Sequence, residues 1–175
     1  MKAAIIIAIG IVVVILIVVG IIALIGSRLP KAHVASRSIL LHQSRANVYA
    51  TIRDFSSAPS WRTDLKSIEL LESAGNKVRF REHGKNGDVT YEVDEDVSGQ
   101  RLVTRIVDTD LGYSGRWVYQ LADENNGTRV TITEEGEVSN VFFRFMSRYI
   151  FGHTATIDSY LTALAARFGE TATPQ

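Results

Sequence analysis

The chain has 175 residues, with 19 basic and 19 acidic side chains, 4 histidines and no cysteine. A balance this close to neutral leaves no electrostatic footprint for nucleic acid, and the lack of cysteine removes disulfides as a clue without fixing a compartment. No internal repeat or low-complexity run appears.

The first stretch, Ala3 to Gly26, holds only Ile, Val, Leu, Ala and Gly. As a helix it would be about 36 Å long at about 1.5 Å per residue, enough to cross a hydrocarbon core of about 30 Å with some tilt. Central aliphatic positions gain about 0.3 to 0.6 kcal/mol each on insertion, on the order of 5 to 10 kcal/mol for the run. Pro30 ends the helix, and Arg28 and Lys31 meet the headgroups. A cleaved secretory signal has a shorter apolar core and a small-x-small site; Leu24 with Gly26 and His33 with Ala35 make poor pairs. Residues 3–26 are therefore expected to be a retained single-pass transmembrane helix, in a bacterial inner membrane. The flanking positives Arg28, Lys31, Arg37 and Arg45 outnumber Lys2 and favour a cytoplasmic domain.

Residues 27–32 form a short juxtamembrane linker, and the remainder, about 145 residues, is the size of one domain. His33 to His42 suits a first strand. Ser44 caps a helix with Val48, Ile52 and Phe55 at helical spacing, and Pro59 opens a second short helix. Six strand signals follow: Ile68 to Glu72, Lys77 to His83, Val89 to Val97, Arg101 to Val107, Tyr113 to Leu121 and Thr128 to Val138. Turns fall at Gly75-Asn76, Gly84 to Asp88, Ser98 to Gln100 and Asn125 to Gly127. From Asn140 to Phe168 apolar residues recur at helical spacing, with Gly152-His153 as a bend near the middle. Residues 170–175 read as a flexible tail.

The stretches Val48 to Asp54, Trp61, Gly115-Arg116-Trp117, Gly127-Thr128-Arg129-Val130-Thr131 and Tyr160 to Leu164 resemble the START/SRPBCC superfamily, in its polyketide cyclase/dehydrase and lipid transport branch. The resemblance covers about residues 33–169, and the transmembrane helix is an addition to it. It implies an α+β helix-grip fold: a curved antiparallel sheet of about seven strands around a long C-terminal helix. Activities in the superfamily range over lipid transfer, hormone or quinone binding and aromatic cyclisation.

Such a sheet leaves an apolar space against its helix. Strand phase assigns Val78, Phe80, Tyr91, Val93, Trp117, Tyr119, Val130 and Ile132 to its lining, with Met146, Tyr149, Ile150 and His153 from the helix. Each of these residues taken singly is also an ordinary core residue. Glu82 and Glu134 fall on the same face as candidate polar cavity residues; a buried carboxyl there could act as acid or base, whereas one at a strand end is solvated. The four histidines show no metal spacing, with His153 alone placed to enter a pocket, and no phosphate loop or nucleophile turn is present. No cofactor, metal or catalytic residue is assigned. Arg144 and Arg148 flank Phe142, Phe143, Phe145 and Met146, a pattern shared by interfacial patches and by core helices with solvated arginines. The expected function is binding, with transport as an extension, of a hydrophobic small molecule or lipid beside the bilayer. A cyclase/dehydrase-type enzyme and a membrane protein-interaction module are the alternatives.

Overall fold

The computed structural model describes residues 2–71, 77–85 and 87–175. The turn expected at Gly75-Asn76, and part of the one at Gly84 to Asp88, lie outside these residues. Helix α1 runs from Lys2 to Arg28 and is long and apolar enough to cross a membrane, with nearly all its side chains exposed.

Strand β1 (Ala32–Leu41) leads into α2 (Arg45–Arg53), where the Ser44 side chain accepts from the Asn47 amide at 3.3 Å. That bond satisfies one of the free amides of the first turn. A 3-10 helix spans Phe55–Ser60, with the Asp54 carboxylate accepting from Ser57 N–H at its start. Pro59 lies inside this helix instead of opening it, because the cap formed upstream at Asp54.

The other strands are β2 (Leu65–Leu71), β3 (Arg79–Gly84), β4 (Gly87–Val97), β5 (Arg101–Ile106), β6 (Tyr113–Glu124) and β7 (Gly127–Val138). They pair antiparallel in the order β1-β7-β6-β5-β4-β3-β2, so the first two strands in sequence form opposite edges. Asn125 and Asn126, with φ of 48° and 60°, turn β6 into β7. That is the left-handed pair a two-residue I′ turn demands, and asparagine tolerates it. A bulge between Val93 and Glu95 changes the phase of β4 and adds curvature to the sheet.

The single long helix expected over Asn140 to Phe168 is divided into three. Helix α3 covers Val141–Met146, a π-helical turn covers Ser147–Phe151, and α4 covers Ala155–Arg167. Gly152 interrupts them at φ 75°, a backbone conformation costly for any side chain with a Cβ. Helix α4 grips the concave face. Its Ile157, Tyr160, Leu161 and Leu164 join Ile39, Leu41, Val48, Ile52, Phe80, Val130 and Ile132 in one core. The convex face is polar: Glu92 lies buried beneath Lys77, Arg79 and Arg105, with contacts of 2.6 to 3.0 Å. The C-terminal residues, expected as a loose tail, lie along an edge strand. Gln175 exchanges two backbone hydrogen bonds of 3.0 Å with Ser38, and the Glu170 carboxylate accepts from the His42 amide at 2.9 Å.

Candidate ligand cavity

The concave face has one row where large side chains are missing. His33 on β1, Gly136 on β7 and Gly115 on β6 stand side by side in register. A Cβ built on Gly136 would lie 2.3 Å from the His33 ring, so the imidazole occupies the space a side chain would need there. The ring stacks on His153 at 4.2 Å between centroids. Two residues further along, Trp117, Glu134 and Ala35 form the next row. Glu134 accepts from Trp117 Nε1 at 2.9 Å and from His33 Nε2 at 3.1 Å, so both its oxygens are engaged. Burial lowers the His153 imidazole below the ordinary histidine value, and His33 and Arg148 push the same way while Glu134 opposes them.

These residues bound a cavity of about 320 Å³. Tyr91, Ile106, Tyr113 and Trp117 form its apolar and aromatic wall; His33, Glu134, His153, Thr104, Arg116 and Ser147 supply polar groups. The volume falls at the lower end of the roughly 300 to 1,000 Å³ usual for small-molecule sites.

A second polar cluster lies outside the cavity lining. Arg62 donates to both oxygens of Glu82, at 2.5 and 3.2 Å, and the two side chains are 12% and 14% exposed. Burial raises the Glu82 carboxyl above its ordinary value while Arg62 opposes the rise. The Arg62 guanidinium also lies 5.3 Å from the centre of the Tyr160 ring. With the guanidinium bridging both its oxygens, Glu82 is partnered within the fold and does not line the cavity.

The expected lining divides in three. Tyr91, Trp117, Glu134 and His153 bound the cavity. Phe80, Val93, Tyr119, Val130 and Ile132 are buried in the core, with Val78 packed against it. Tyr149 and Ile150 are exposed, and Met146 is half-buried outside the cavity wall. For Tyr149 and Ile150 the physical reason is the π-helical turn, whose longer period rotates them off the face that a 3.6-residue spacing assigns. Glu82 and Glu134 are not water-solvated strand ends, since each is partnered within the fold. His33, expected to stay outside any pocket, is a central wall residue. Its signal was the pairing of a strand histidine with Gly136, which only cross-strand register reveals. Arg62, Thr104 and Tyr113 also carried no pattern in the sequence.

Among the described residues no group of His, Cys, Asp and Glu is arranged to hold a metal ion.

A curved seven-stranded antiparallel sheet closed by a C-terminal helix over a cavity is a helix-grip fold. Residues 32–169 match the family described as polyketide cyclase / dehydrase and lipid transport, and the chain belongs to that family. Similar solved structures include the di-domain ARO/CYC StfQ of the steffimycin biosynthetic pathway, at 12% identity and TM-score 0.62, covering 79% of this chain and 52% of that one. A START superfamily protein of Mycobacterium smegmatis is similar at 14% identity and TM-score 0.59, covering 77% and 96%. A hypothetical protein of Helicobacter pylori is similar at 16% identity and TM-score 0.64, covering 79% and 88%. The chain thus spans about half the length of StfQ. At these identities the likeness is one of fold. No curated protein matches the chain in sequence.

Proposed function

We propose that this chain is a membrane-tethered helix-grip domain, residues 33–169, that binds a hydrophobic small molecule or lipid between its sheet and α4. The cavity of about 320 Å³ with its Tyr91–Ile106–Trp117 wall carries this reading. Burial of an apolar ligand there would contribute about 25 cal/mol for each Å² removed from water. The His33–Glu134–His153 corner gives such a ligand one polar end to orient against. A membrane-spanning α1, which its length and apolar composition support, would hold the domain at the source of apolar ligands, and the family's description includes lipid transport.

Native mass spectrometry of the detergent-purified full chain, after loosely held lipid is stripped, tests the proposal. One apolar species bound at about one per chain is expected. A bare polypeptide that also fails to take up an added fatty acyl probe would overturn it.

A second reading is an acid–base reaction of the cyclase/dehydrase type, and the His33–Glu134 pair facing the cavity is what favours it. His33→Ala should then abolish turnover of an aromatic or polyketide substrate while leaving its binding measurable. Retention of binding with no turnover by the unmodified chain would remove this reading.

A further inference from the structure

The fold leaves one apolar surface beside the end of α1 that neither the core nor the cavity uses. On α3 and the π-helical turn, Phe142, Phe143, Tyr149 and Ile150 are 40%, 52%, 59% and 59% exposed. Large aromatic and aliphatic side chains concentrated on so short a segment mark a contact surface in an otherwise ordinary exterior. Arg148 lies exposed on the same turn, and Lys31, just past the end of α1, borders a surface pocket together with it.

What covers this surface follows from where α3 is fixed. Along the last turns of α1, Ile22, Ala23 and Gly26 are the residues that are not fully exposed, and Leu29 just beyond the helix joins them. Their spacing puts them on one face of the helix, and α3 packs against α1. The approach is close: a Cβ on Gly26 would lie 2.0 Å from the Val141 carbonyl oxygen. Buried Arg144 then donates to the Leu29 carbonyl at 2.8 Å, satisfying a backbone group that the end of α1 leaves open. Ile22, Ala23 and Gly26 belong to the apolar run itself. This 27-residue helix, about 40 Å long, exceeds a hydrocarbon core of about 30 Å, so its last turns run from the upper acyl chains into the headgroup layer. Whatever packs on those turns shares their depth.

We infer that the exposed face of α3 and the π-helical turn is a second membrane contact, seated in the interfacial layer of a phospholipid bilayer with Phe142, Phe143, Tyr149 and Ile150 among the upper acyl chains and Arg148 at the phosphates. Aromatic side chains favour this layer and arginine favours anionic headgroups. Ser147, Gly152 and His153, which belong to or follow the same segment, bound the cavity. The contact therefore holds the cavity's α3 side against the membrane. The inference rests on the membrane-tether reading of α1.

Because the chain has no cysteine, single-cysteine variants of the full protein give clean reporters. Leu16→Cys, Phe143→Cys, Tyr149→Cys and Gln120→Cys, each carrying a nitrobenzoxadiazole label, are reconstituted into phosphatidylcholine–phosphatidylglycerol vesicles. Quenching by lipid bearing a nitroxide high on its acyl chain is then read. Labels at 143 and 149 should emit to the blue of the label at 120 and be quenched several-fold more strongly, with the label at 16 also in lipid. A lipid-buried label at 16 with watery labels at 143 and 149 overturns the second contact and leaves the tether standing. Blue-shifted labels at 143 and 149 that lipid nitroxide does not quench mean that a protein covers the face, which also overturns it. A watery label at 16 overturns the tether and the contact together.

Discussion

The concave face of the sheet has two ends built on the same three strands. At one end Ile39, Val130 and Leu121 stand in register across β1, β7 and β6, and α4 closes over them with Leu161 and Leu164. At the other, His33, Gly136 and Gly115 occupy the equivalent row, and the cavity opens there. Backbone pairing is continuous from one end to the other, so topology alone does not make the cavity. Gly136 lets the His33 ring lie against the sheet, and the broken helix replaces a continuous apolar ridge with Ser147, Gly152 and His153, which border the cavity.

If that contrast is right, the largest loss of stability belongs to the filled end. Leu161→Ala should cost about 2 to 5 kcal/mol in denaturant unfolding, the range for removing a fully buried aliphatic side chain, while apolar-probe uptake persists in the folded fraction. A smaller cost falls at the open end. Gly136→Ala drives a methyl into the His33 ring, whose movable side chain can yield, so about 1 to 3 kcal/mol is expected. The Glu134–His33 hydrogen bond should disappear with it, visible as loss of the His33 imidazole proton signal in NMR spectra. Retention of that signal would mean that the ring does not depend on Gly136.

The two ends should also differ in response to pH. Burial beside His33 and Arg148 lowers the His153 imidazole, so the unfolded chain, with histidine near about 6.5, binds the proton more readily than the folded one. The stability contributed is full above about 6.5 and falls as pH drops through that value. Amide exchange, corrected for its intrinsic pH dependence, should accelerate around residues 33–36 and 115–117 and stay level around Ile39 and Val130. His153→Phe should flatten the difference. The smallest effect on stability comes from Thr104→Phe. The new ring enters the cavity, so the cost should stay below the roughly 1 kcal/mol at which overpacking of a dense core begins.

Much of this contrast was hidden in the sequence for identifiable reasons. Strand alternation such as Val78–Phe80–Glu82, the Asn125-Asn126-Gly127 turn and the Ser44 cap are local signals, and the element order followed from them; the helix-grip architecture came from the family resemblance. Gly152 was legible as a bend in one long helix, not as the break it makes. The phase of Tyr149 and Ile150 could not be read, because an assumed 3.6-residue period runs straight through a π-helical turn. His33 lies 101 residues from Glu134, and Arg62 lies 20 residues from Glu82, so these pairs exist only once register and loop path are known. Strand phase singled out Glu82 and Glu134 as polar residues on the otherwise apolar face. Their partners decided whether they met water, and partners were the part no local pattern carried.

The central claim is that the open end is a ligand site and the filled end is not. Its most direct test is to purify the full-length wild type, Thr104→Phe and Leu161→Ala in one detergent and quantify every apolar molecule extracted from each. A single species at about one per chain in the wild type and in Leu161→Ala, reduced at least tenfold in Thr104→Phe, is the expected result. Equal amounts in all three, in the proportions of the host membrane's lipids, would contradict it.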